Sequence, residues 1–143
     1  MAQPLWSPAP QAVESSQLTA FTRYAEQKTA RAFADYDALH AWSIEEPGAF
    51  WDLLWDFTRT QASRKGAKTV ENLEQFPGAR WFPEARLNFA ENLLQERSDK
   101  LAFISLLENG ARRTVTYAEL FSHTEAIASQ LQRLGIQPGD RVA

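Results

Sequence analysis

The sequence of 143 residues contains no cysteine. This absence excludes disulfides, thiolate metal sites and a cysteine nucleophile, and it is compatible with the cytoplasm. The N-terminus has no positively charged segment followed by an apolar run, so no secretory signal is predicted. No stretch approaches the ~18 consecutive apolar residues of a membrane span. The sequence therefore predicts a soluble, cytoplasmic chain that has no membrane partner.

An excess of positive charge is also missing. The formal net charge is −3, and no basic stripe alternates with aromatic residues, so nucleic acid is not expected as a partner. The six glycines are isolated, and the sequence therefore has neither a dinucleotide-binding G-x-G-x-x-G motif nor a Walker phosphate loop. The length is sufficient for one domain with its own hydrophobic core.

Catalytic constellations are absent as well. His40 and His123 lie far apart in the sequence and have no partner at metal-ligand spacing. Glu45 and Glu46 are explained by their position ahead of a predicted helix, whose positive end they favour. No nucleophile motif of the G-x-S-x-G type surrounds Ser63, Ser98 or Ser122. The residue patterns assign no catalytic, cofactor-binding or metal-binding residue to this chain.

The first part of the chain is predicted to be helical. Residues 1–14 are expected to be an extended lead-in with Trp6 as an anchor, followed by a helix that Ser15 or Ser16 caps. Asp35 is expected to cap a second helix, and Pro47 to open a third over residues 47–58. The third helix has two apolar stripes, which predicts that it is covered on more than one side. The stripes are Phe50, Leu54 and Phe57, and Trp51 and Trp55.

Residues 59–79 form a polar interval with two interpretations. Its basic side chains are Arg59, Arg64, Lys65 and Lys68. They could attract a phosphate group, but no glycine-rich loop accompanies them, and a solvated loop is the favoured interpretation. Residues 70–73 are predicted to be a short extended segment.

The stretch 81–94 is the most distinctive part of the chain. Pro83 is expected to hold Phe82 extended. Asn88 precedes Glu91 at the spacing of a capping box, which predicts a helix that begins after Asn88. The favoured interpretation is a buried junction between two layers, because aromatic and leucine clusters usually lie in the core. A ligand-contacting loop is the alternative.

The end of the chain predicts a hairpin and a helix. Asn109-Gly110 separates two strand-like runs, 101–107 and 112–115, and predicts a type I′ turn. Thr116 opens a capping box for a helix that reaches about residue 134, and glycine follows it as a left-handed ending. The inward face of that helix is expected to carry Leu120, Ile127, Leu131 and Leu134. Residues 141–143 look like the start of a strand, which indicates a piece of a longer protein.

Two motifs in this sequence match a known pattern. They read Tyr36-x-x-Leu39-x-x-Trp42-Ser43-x-x-x-Pro47-x-x-Phe50-Trp51 and Trp81-Phe82-Pro83-x-Ala85-x-Leu87-Asn88-Phe89-Ala90-Glu91-Asn92-Leu93-Leu94. They resemble the N-terminal region of the acetyl-CoA synthetase branch of adenylate-forming enzymes, and within that branch the acetoacetate–CoA ligases. The segment 116–143 is similar to the stretch that enters the ATP-binding domain of the whole superfamily.

The resemblance implies an ATP-dependent acid–thiol ligase of lipid and ketone-body metabolism. Such an enzyme converts acetoacetate, ATP and CoA to acetoacetyl-CoA, AMP and pyrophosphate through an acyl-adenylate, and Mg²⁺ assists the first step. The family's phosphate loop and its nucleotide- and CoA-contacting residues lie beyond residue 143. The chain by itself is therefore expected to be inactive and to bind no cofactor. An acetyl- or propionyl-CoA synthetase-type ligase and a non-enzymatic helical interaction module are the alternatives.

The expected fold is α+β. The expected parts are the lead-in 1–14, a helical region 15–100, and residues 101–143 as the start of an AMP-binding (adenylation) domain. The remainder of that domain is the expected partner. Without it, the apolar faces of residues 101–107 and of the last helix should be exposed, and the chain should self-associate through them.

Overall fold

The computed structural model describes residues 5–142. Over these residues the chain forms six helices and two antiparallel sheets of two strands each, which confirms an α+β fold. The chain divides into two compact units, unit 1 up to Leu87 and unit 2 from Asn88. The predicted domain boundary, between residues 100 and 101, lies later in the chain and stays a prediction.

Four helices form the first part of unit 1. They are α1 (Pro10–Glu14), α2 (Gln17–Thr29), α3 (Tyr36–Glu45) and α4 (Pro47–Phe57). The predicted caps are confirmed: the Ser16 hydroxyl accepts from the N–H of Thr19 at 3.1 Å, and Asp35 accepts from the N–H of Ala38 at 2.9 Å. Pro47 opens α4 as predicted, because its ring fixes a helical φ at a position where no N–H is needed.

The predicted extended lead-in is wrong for residues 10–14, which form α1. Pro10 is the reason, since proline suits the first helical position. Trp6 is 78% exposed and does not anchor the segment. Residues 1–4 lie outside the described residues.

The core of unit 1 lies between α2, α3 and α4. Its buried side chains are Phe21, Ala25, Leu39 and Trp42. The first stripe of α4 packs against them. The Phe21 ring lies 5.5 Å from Phe50 and 5.2 Å from Phe57, edge to face, and Trp42 lies 5.8 Å from Phe50. Such aromatic pairs add to the free energy of burial and fix the helices against each other.

The second stripe of α4 contacts the segment that follows the polar interval. The Trp51 ring lies 5.7 Å from Trp81, and the Trp55 ring lies 4.5 Å from Phe82. Side chains therefore cover α4 on two sides, as its wide apolar arc predicted. This second side is thinner, because Trp51 remains 43% exposed.

A small sheet leads into that segment. Its strands are β1 (Val70–Glu71) and β2 (Arg80–Trp81), with Val70 opposite Trp81. The extended conformation predicted for Phe82 is wrong, because its φ is +43°. The N–H of Phe82 donates to the Thr69 carbonyl at 2.7 Å, and its carbonyl accepts from the N–H of Ala85 at 2.9 Å. These bonds and the contact of the ring with Trp55 offset the strain of a left-handed backbone.

Unit 2 contains four elements. They are α5 (Phe89–Leu93), β3 (Leu101–Leu106), β4 (Arg112–Thr116) and α6 (Tyr117–Arg133). The helix predicted after Asn88 is confirmed. The Asn88 side chain accepts from the N–H groups of Ala90 and Glu91 at 2.9 and 3.3 Å.

The predicted hairpin is confirmed, but its predicted type I′ turn is wrong. The N–H of Leu107 donates to the Ala111 carbonyl at 2.9 Å, which leaves a loop of three residues between them. A type I′ turn needs positive φ at both Asn109 and Gly110, whereas only Gly110 has it, at +78°. The geometry is that of a three-residue hairpin with glycine in the left-handed position.

Both predicted ends of α6 are confirmed. The Thr116 hydroxyl accepts from the N–H of Glu119, and the Glu119 carboxylate accepts from the N–H of Thr116, so the capping box is complete. At the other end, the N–H of Ile136 donates to the Leu131 carbonyl at 3.2 Å. Together with the left-handed Gly135 this is a Schellman ending.

Ile127 and Leu134, on the predicted inward face of α6, are 63% and 68% exposed, which confirms the expected exposure of the apolar face of the last helix. One prediction for the end of the chain is wrong. Arg141 and Val142 form no strand, since no neighbouring strand pairs with them in the part of the chain that the structure describes; Ala143 lies outside it.

The capping box makes a testable prediction for α6. Thr116→Ala removes the acceptor for the Glu119 N–H and should destabilise the start of the helix by about 1 kcal/mol. Thr116→Ser keeps the hydroxyl and should behave almost as the parent does. Amide hydrogen exchange in the first turn of α6 measures the difference. Equal exchange in the alanine and serine variants would show that the cap contributes nothing.

Candidate functional site

Carboxylates neutralise most of the polar interval of unit 1. The Lys65 ammonium lies 2.9 Å from Asp52 Oδ1 and 2.7 Å from Asp56 Oδ1, both on α4. Partial burial works against the charged form, but the hydrogen bonds to Asp56 and Asp52 raise the pKa of Lys65 above its ordinary value. Lys65 therefore fastens the interval to α4.

The Glu84 carboxylate binds two further polar groups of the interval, one backbone N–H and one side chain. Its carboxylate accepts from the N–H of Ala67 at 2.8 Å and lies 3.2 Å from the Arg64 guanidinium. The Ala67 hydrogen bond and the Arg64 charge hold the pKa of Glu84 below its usual range. Lys68 lies 3.0 Å from Glu71. Three of the four predicted basic side chains are thus already paired, and this supports the structural interpretation over a phosphate site.

A pH dependence follows from Glu84. Because its folded pKa is lowered, its contribution to stability is present above the unfolded pKa and is lost as pH falls through the folded pKa. Glu84→Gln should therefore flatten the fall in the free energy of unfolding between about pH 5 and pH 3. Urea unfolding followed by tryptophan fluorescence measures this. Glu74→Gln is the control, because Glu74 is exposed and accepts no hydrogen bond from the described residues. If the free energy of unfolding falls equally steeply with decreasing pH in both variants, the lowered pKa of Glu84 does not contribute to the acid sensitivity of unit 1.

The residues weighed for catalysis do not come together. His40 stacks on Tyr36, with ring centroids 5.8 Å apart, and His123 lies exposed on α6 in the other unit. Ser63 donates its hydroxyl to the Arg86 carbonyl at 3.0 Å. Two other serines belong to unit 2: Ser98 accepts from the N–H of Lys100, and Ser122 is exposed on α6. The one serine that bonds a histidine is Ser43, within the described residues, and its hydroxyl donates to the backbone carbonyl of His40 at 2.7 Å, not to the imidazole ring.

Two acidic residues lie where α3 ends and α4 begins. Glu45 is the last residue of α3, and Glu46 is the residue that precedes α4. The Glu46 carboxylate forms an ion pair with Arg31, so Glu46 has a structural partner. Its position just ahead of α4 is the one predicted to favour the positive end of that helix.

An apolar groove of about 540 Å³ opens between α2, α3 and α4. Its walls carry Gln17, Leu18, Phe21, Tyr36, Leu39, His40, Ser43, Phe50, Leu54, Phe57 and Thr58. No motif or spacing in the sequence predicted this groove. The sequence feature that could have indicated the groove is the position of Leu18 and Tyr36 on the same helix faces as core residues. In the structure these two side chains remain 49% and 60% exposed.

The distinctive stretch 81–94 is not buried, which corrects the favoured interpretation. Phe89 is 74% exposed, Leu93 61% and Leu87 48%. Large exposed apolar side chains of this density mark surfaces that bind other protein segments. The same is true of unit 2 as a whole, whose hairpin exposes Leu101, Phe103, Ile104 and Leu106.

Two further features were compared with residues 5–142: clusters of metal-ligating side chains and long apolar helices. No group of three or more His, Cys, Asp and Glu side chains in that range could hold a metal ion. No helix in the same range is both long and apolar enough to cross a bilayer.

Two protein families match the chain in succession. Residues 36–93 match the family described as "Acetyl-coenzyme A synthetase N-terminus". Residues 89–143 match the family described as "AMP-binding enzyme". The first match covers α3 through α5, and the second covers the hairpin and α6.

Individual relatives agree with this order. "Acetoacetyl-coenzyme A synthetase" from Rhizobium meliloti (strain 1021) is 39% identical over 99% of the chain. "Malonamoyl-CoA synthetase vrtB" from Penicillium aethiopicum is 39% identical over 92%. The solved structure "Acetoacetyl-CoA Synthetase from Streptomyces lividans" superimposes over 99% of the chain with a TM-score of 0.85 and 36% identity. The chain spans only about a fifth of each relative: 22%, 19% and 22% respectively.

Proposed function

We propose a function from the premise that this chain has the sequence and fold of the N-terminal region of the acetoacetyl-CoA synthetases, in the adenylate-forming superfamily. The protein to which such a region belongs is proposed to be an AMP-forming acetoacetate–CoA ligase. The supporting observation is the continuous match, in which an acetyl-CoA-synthetase-type helical region leads directly into the start of an AMP-binding segment.

The proposed reaction has two steps. The carboxylate of acetoacetate attacks the α-phosphate of ATP and releases pyrophosphate, which leaves an acyl-adenylate. The CoA thiol then attacks the acyl carbon and AMP departs. We propose Mg²⁺ as the ion that offsets the phosphate charge in the first step, as phosphoryl chemistry generally requires. None of these groups has an assigned residue in the present chain.

The role proposed for the present chain is structural. Three of the four basic side chains in its polar interval are paired with carboxylates, and the histidines and serines weighed above form no reactive cluster. The acyl group is the part of the proposal that needs a direct comparison of acids, because a malonamoyl-CoA synthetase matches the chain with the same identity as an acetoacetyl-CoA synthetase. We propose acetoacetate as the substrate, with malonamate, acetate and propionate as competitors to be compared.

A chimera tests the proposal. The corresponding N-terminal region of the Streptomyces lividans enzyme is replaced by this chain, since the two superimpose over 99% of its length. The chimera should catalyse acetoacetate-dependent exchange of pyrophosphate into ATP, with the acid preference of the host enzyme. The chain by itself should show no exchange with any of the four acids.

Two results would contradict the structural role. Turnover by the isolated chain would show that it carries catalytic residues. A chimera that folds, by its circular dichroism and its melting temperature, but activates no acid would show that this chain does not supply what the host region supplies. If the chimera prefers a different acid from the host enzyme, residues 1–143 determine part of the acyl specificity.

We also propose the remainder of an adenylation domain as the partner of the exposed apolar surfaces, and self-association of the isolated chain through them. The large exposed side chains of β3 and α6 support both proposals. A cytoplasmic location is proposed as well, on the cysteine-free composition.

A further inference from the structure

The loop of the β3–β4 hairpin contains a pair of residues that occurs at one place in the sequence. Asn109 is followed by Gly110, whereas every other asparagine is followed by leucine or phenylalanine. Both loop residues are exposed, and apart from the chain neighbours nothing lies within 4 Å of the position that a Cβ of Gly110 would take. A glycine also allows another group to approach its backbone closely. The backbone nitrogen of Gly110 is therefore open to the side chain that precedes it.

The Asn109 side chain is folded back against the backbone of the loop. Its Oδ1 accepts from the N–H of Ala111 at 3.0 Å. Asparagine side chains often bond the backbone two residues further on, and this bond holds the side-chain carbonyl carbon near the peptide nitrogen between them. In this loop that nitrogen belongs to Gly110. The Ala111 N–H would also stabilise negative charge that develops on Oδ1 if the carbonyl carbon were attacked.

One hydrogen bond of the loop opposes such an attack. The N–H of Gly110 donates to the Leu107 carbonyl at 2.9 Å, so this bond must open before the nitrogen can react. It lies in the exposed loop, beyond the bond that joins Leu107 to Ala111 at the end of the ladder. Exposed loops open at a smaller free-energy cost than core strands do. The bond therefore slows the attack without preventing it.

We propose that Asn109 is a site of spontaneous deamidation. The Gly110 nitrogen gives up its proton and forms a bond to Cγ of Asn109, while the side-chain nitrogen takes up a proton and leaves as ammonia. The product is a cyclic succinimide. Water then opens the ring at either of its carbonyl carbons, which leaves aspartate or isoaspartate at this position. Water is the only co-reactant, and asparagine is among the residues that heat destroys most readily.

Both products would change the hairpin. Aspartate places a second carboxylate beside that of Glu108. Isoaspartate routes the main chain through the side-chain carbonyl carbon, which lengthens a loop that the bond between Leu107 and Ala111 closes after three residues. The isoaspartate form should therefore lose protection from hydrogen exchange at the Leu107 amide.

Peptide mapping tests the site. Trypsin cleaves after Lys100 and Arg112 and releases residues 101–112, in which Asn109 is the only side-chain amide. The 143-residue chain is held at mildly alkaline pH, and the first sample measures any conversion during digestion. The peptide should first lose the mass of ammonia, then gain the mass of water and separate into two products of equal mass. No change in the folded chain, over a time in which the chain in urea converts completely, would overturn the proposal.

Asn88 is a control within the same digest. Its Oδ1 also accepts from the N–H two residues further on, that of Ala90 at 2.9 Å, but the residue between them is Phe89, which has a side chain and begins α5. Residues 87–97 form the tryptic peptide that contains Asn88, and this peptide should keep its mass. Equal conversion of the two peptides would refute the assignment of the reaction to the hairpin loop.

Gly110→Ala tests which atom attacks. The added methyl group crowds the Gly110 nitrogen and should slow the loss of ammonia severalfold. The same substitution strains the hairpin and favours opening of the loop, so a slower reaction cannot be attributed to a tighter fold. An unchanged rate, or aspartate without isoaspartate, would show that water attacks the side-chain amide directly and that no succinimide forms. These measurements follow covalent mass, so their outcome is independent of the ligase assignment.

Discussion

Trp42→Ala is expected to destabilise unit 1 by about 3–5 kcal/mol, because it removes a buried indole and leaves a cavity. Trp42 is 3% exposed and lies between Phe33, at 5.2 Å, and Phe50, at 5.8 Å. Domains of this size have only about 5–15 kcal/mol of stability in total, so the variant should be near the limit of folding. The tryptophans, residues 6, 42, 51, 55 and 81, all precede Leu87, and their fluorescence during urea unfolding reports on unit 1 alone.

Two controls separate packing from chemistry at Trp42. Trp42→Phe keeps most of the ring volume and removes an indole N–H that has no hydrogen-bond partner within residues 5–142. Since an unpaired buried donor is itself unfavourable, this variant should lose less than about 1.5 kcal/mol. Trp51→Ala removes a ring that is 43% exposed and should lose about 1–2 kcal/mol. If Trp42→Ala unfolds at the same urea concentration as Trp51→Ala, the Trp42 ring contributes no more to the stability of the core than the half-exposed Trp51 ring does.

The second large effect is expected at Gly66. Its φ is +86°, and an added Cβ would lie 2.6 Å from the Cβ of Glu84 and 2.8 Å from its carboxylate. Gly66→Ala therefore combines left-handed strain with overlap against a neighbouring side chain, and it should destabilise unit 1 by about 2–4 kcal/mol. Gly110→Ala is the matched case, because its φ is +78° and nothing lies within 4 Å of the added Cβ. Amide hydrogen exchange in the hairpin should show only the destabilisation caused by the left-handed backbone strain, about 1–2 kcal/mol.

A double variant isolates the overlap at Gly66. Glu84→Gly removes the Cβ against which the new methyl group would press. The combination of Gly66→Ala with Glu84→Gly should therefore be more stable than the sum of the two single effects predicts. Strict additivity would mean that the backbone conformation accounts for the whole loss and that the close approach to Glu84 is easily relieved.

Local signals in the sequence were sufficient for the five helices α2 to α6, although not for α1. The caps at Ser16, Asp35, Asn88 and Thr116 were predicted correctly because each side chain bonds a backbone group within a few residues. The hairpin was predicted for the same reason. Its turn type was not, since the choice between two and three loop residues depends on where the ladder ends, at Leu107 and Ala111.

Burial was less predictable than secondary structure. Periodicity identifies an apolar face but does not show that anything covers it. Phe21 and Ile127 both belong to apolar helix stripes, yet one is 4% exposed and the other 63%. The left-handed Phe82 was equally out of reach, because its contacts with Thr69 and Trp55 join residues far apart in the sequence. For the candidate site, the residue types gave the interpretations to compare, and only the structure showed that Lys65 and Arg64 already have carboxylate partners.

The core of unit 1 also has a consequence for biosynthesis. Its buried residues all lie between positions 21 and 42, and the rings that pack on them end at Phe57. Every contact of this core is therefore available once Phe57 has left the ribosome. Cores built from such local contacts form quickly, and domains fold from the N-terminus during translation. We expect the three-helix core to be folded on the nascent chain before the exposed strand β3 is synthesised, which shortens the time in which two apolar segments of one chain can mispair.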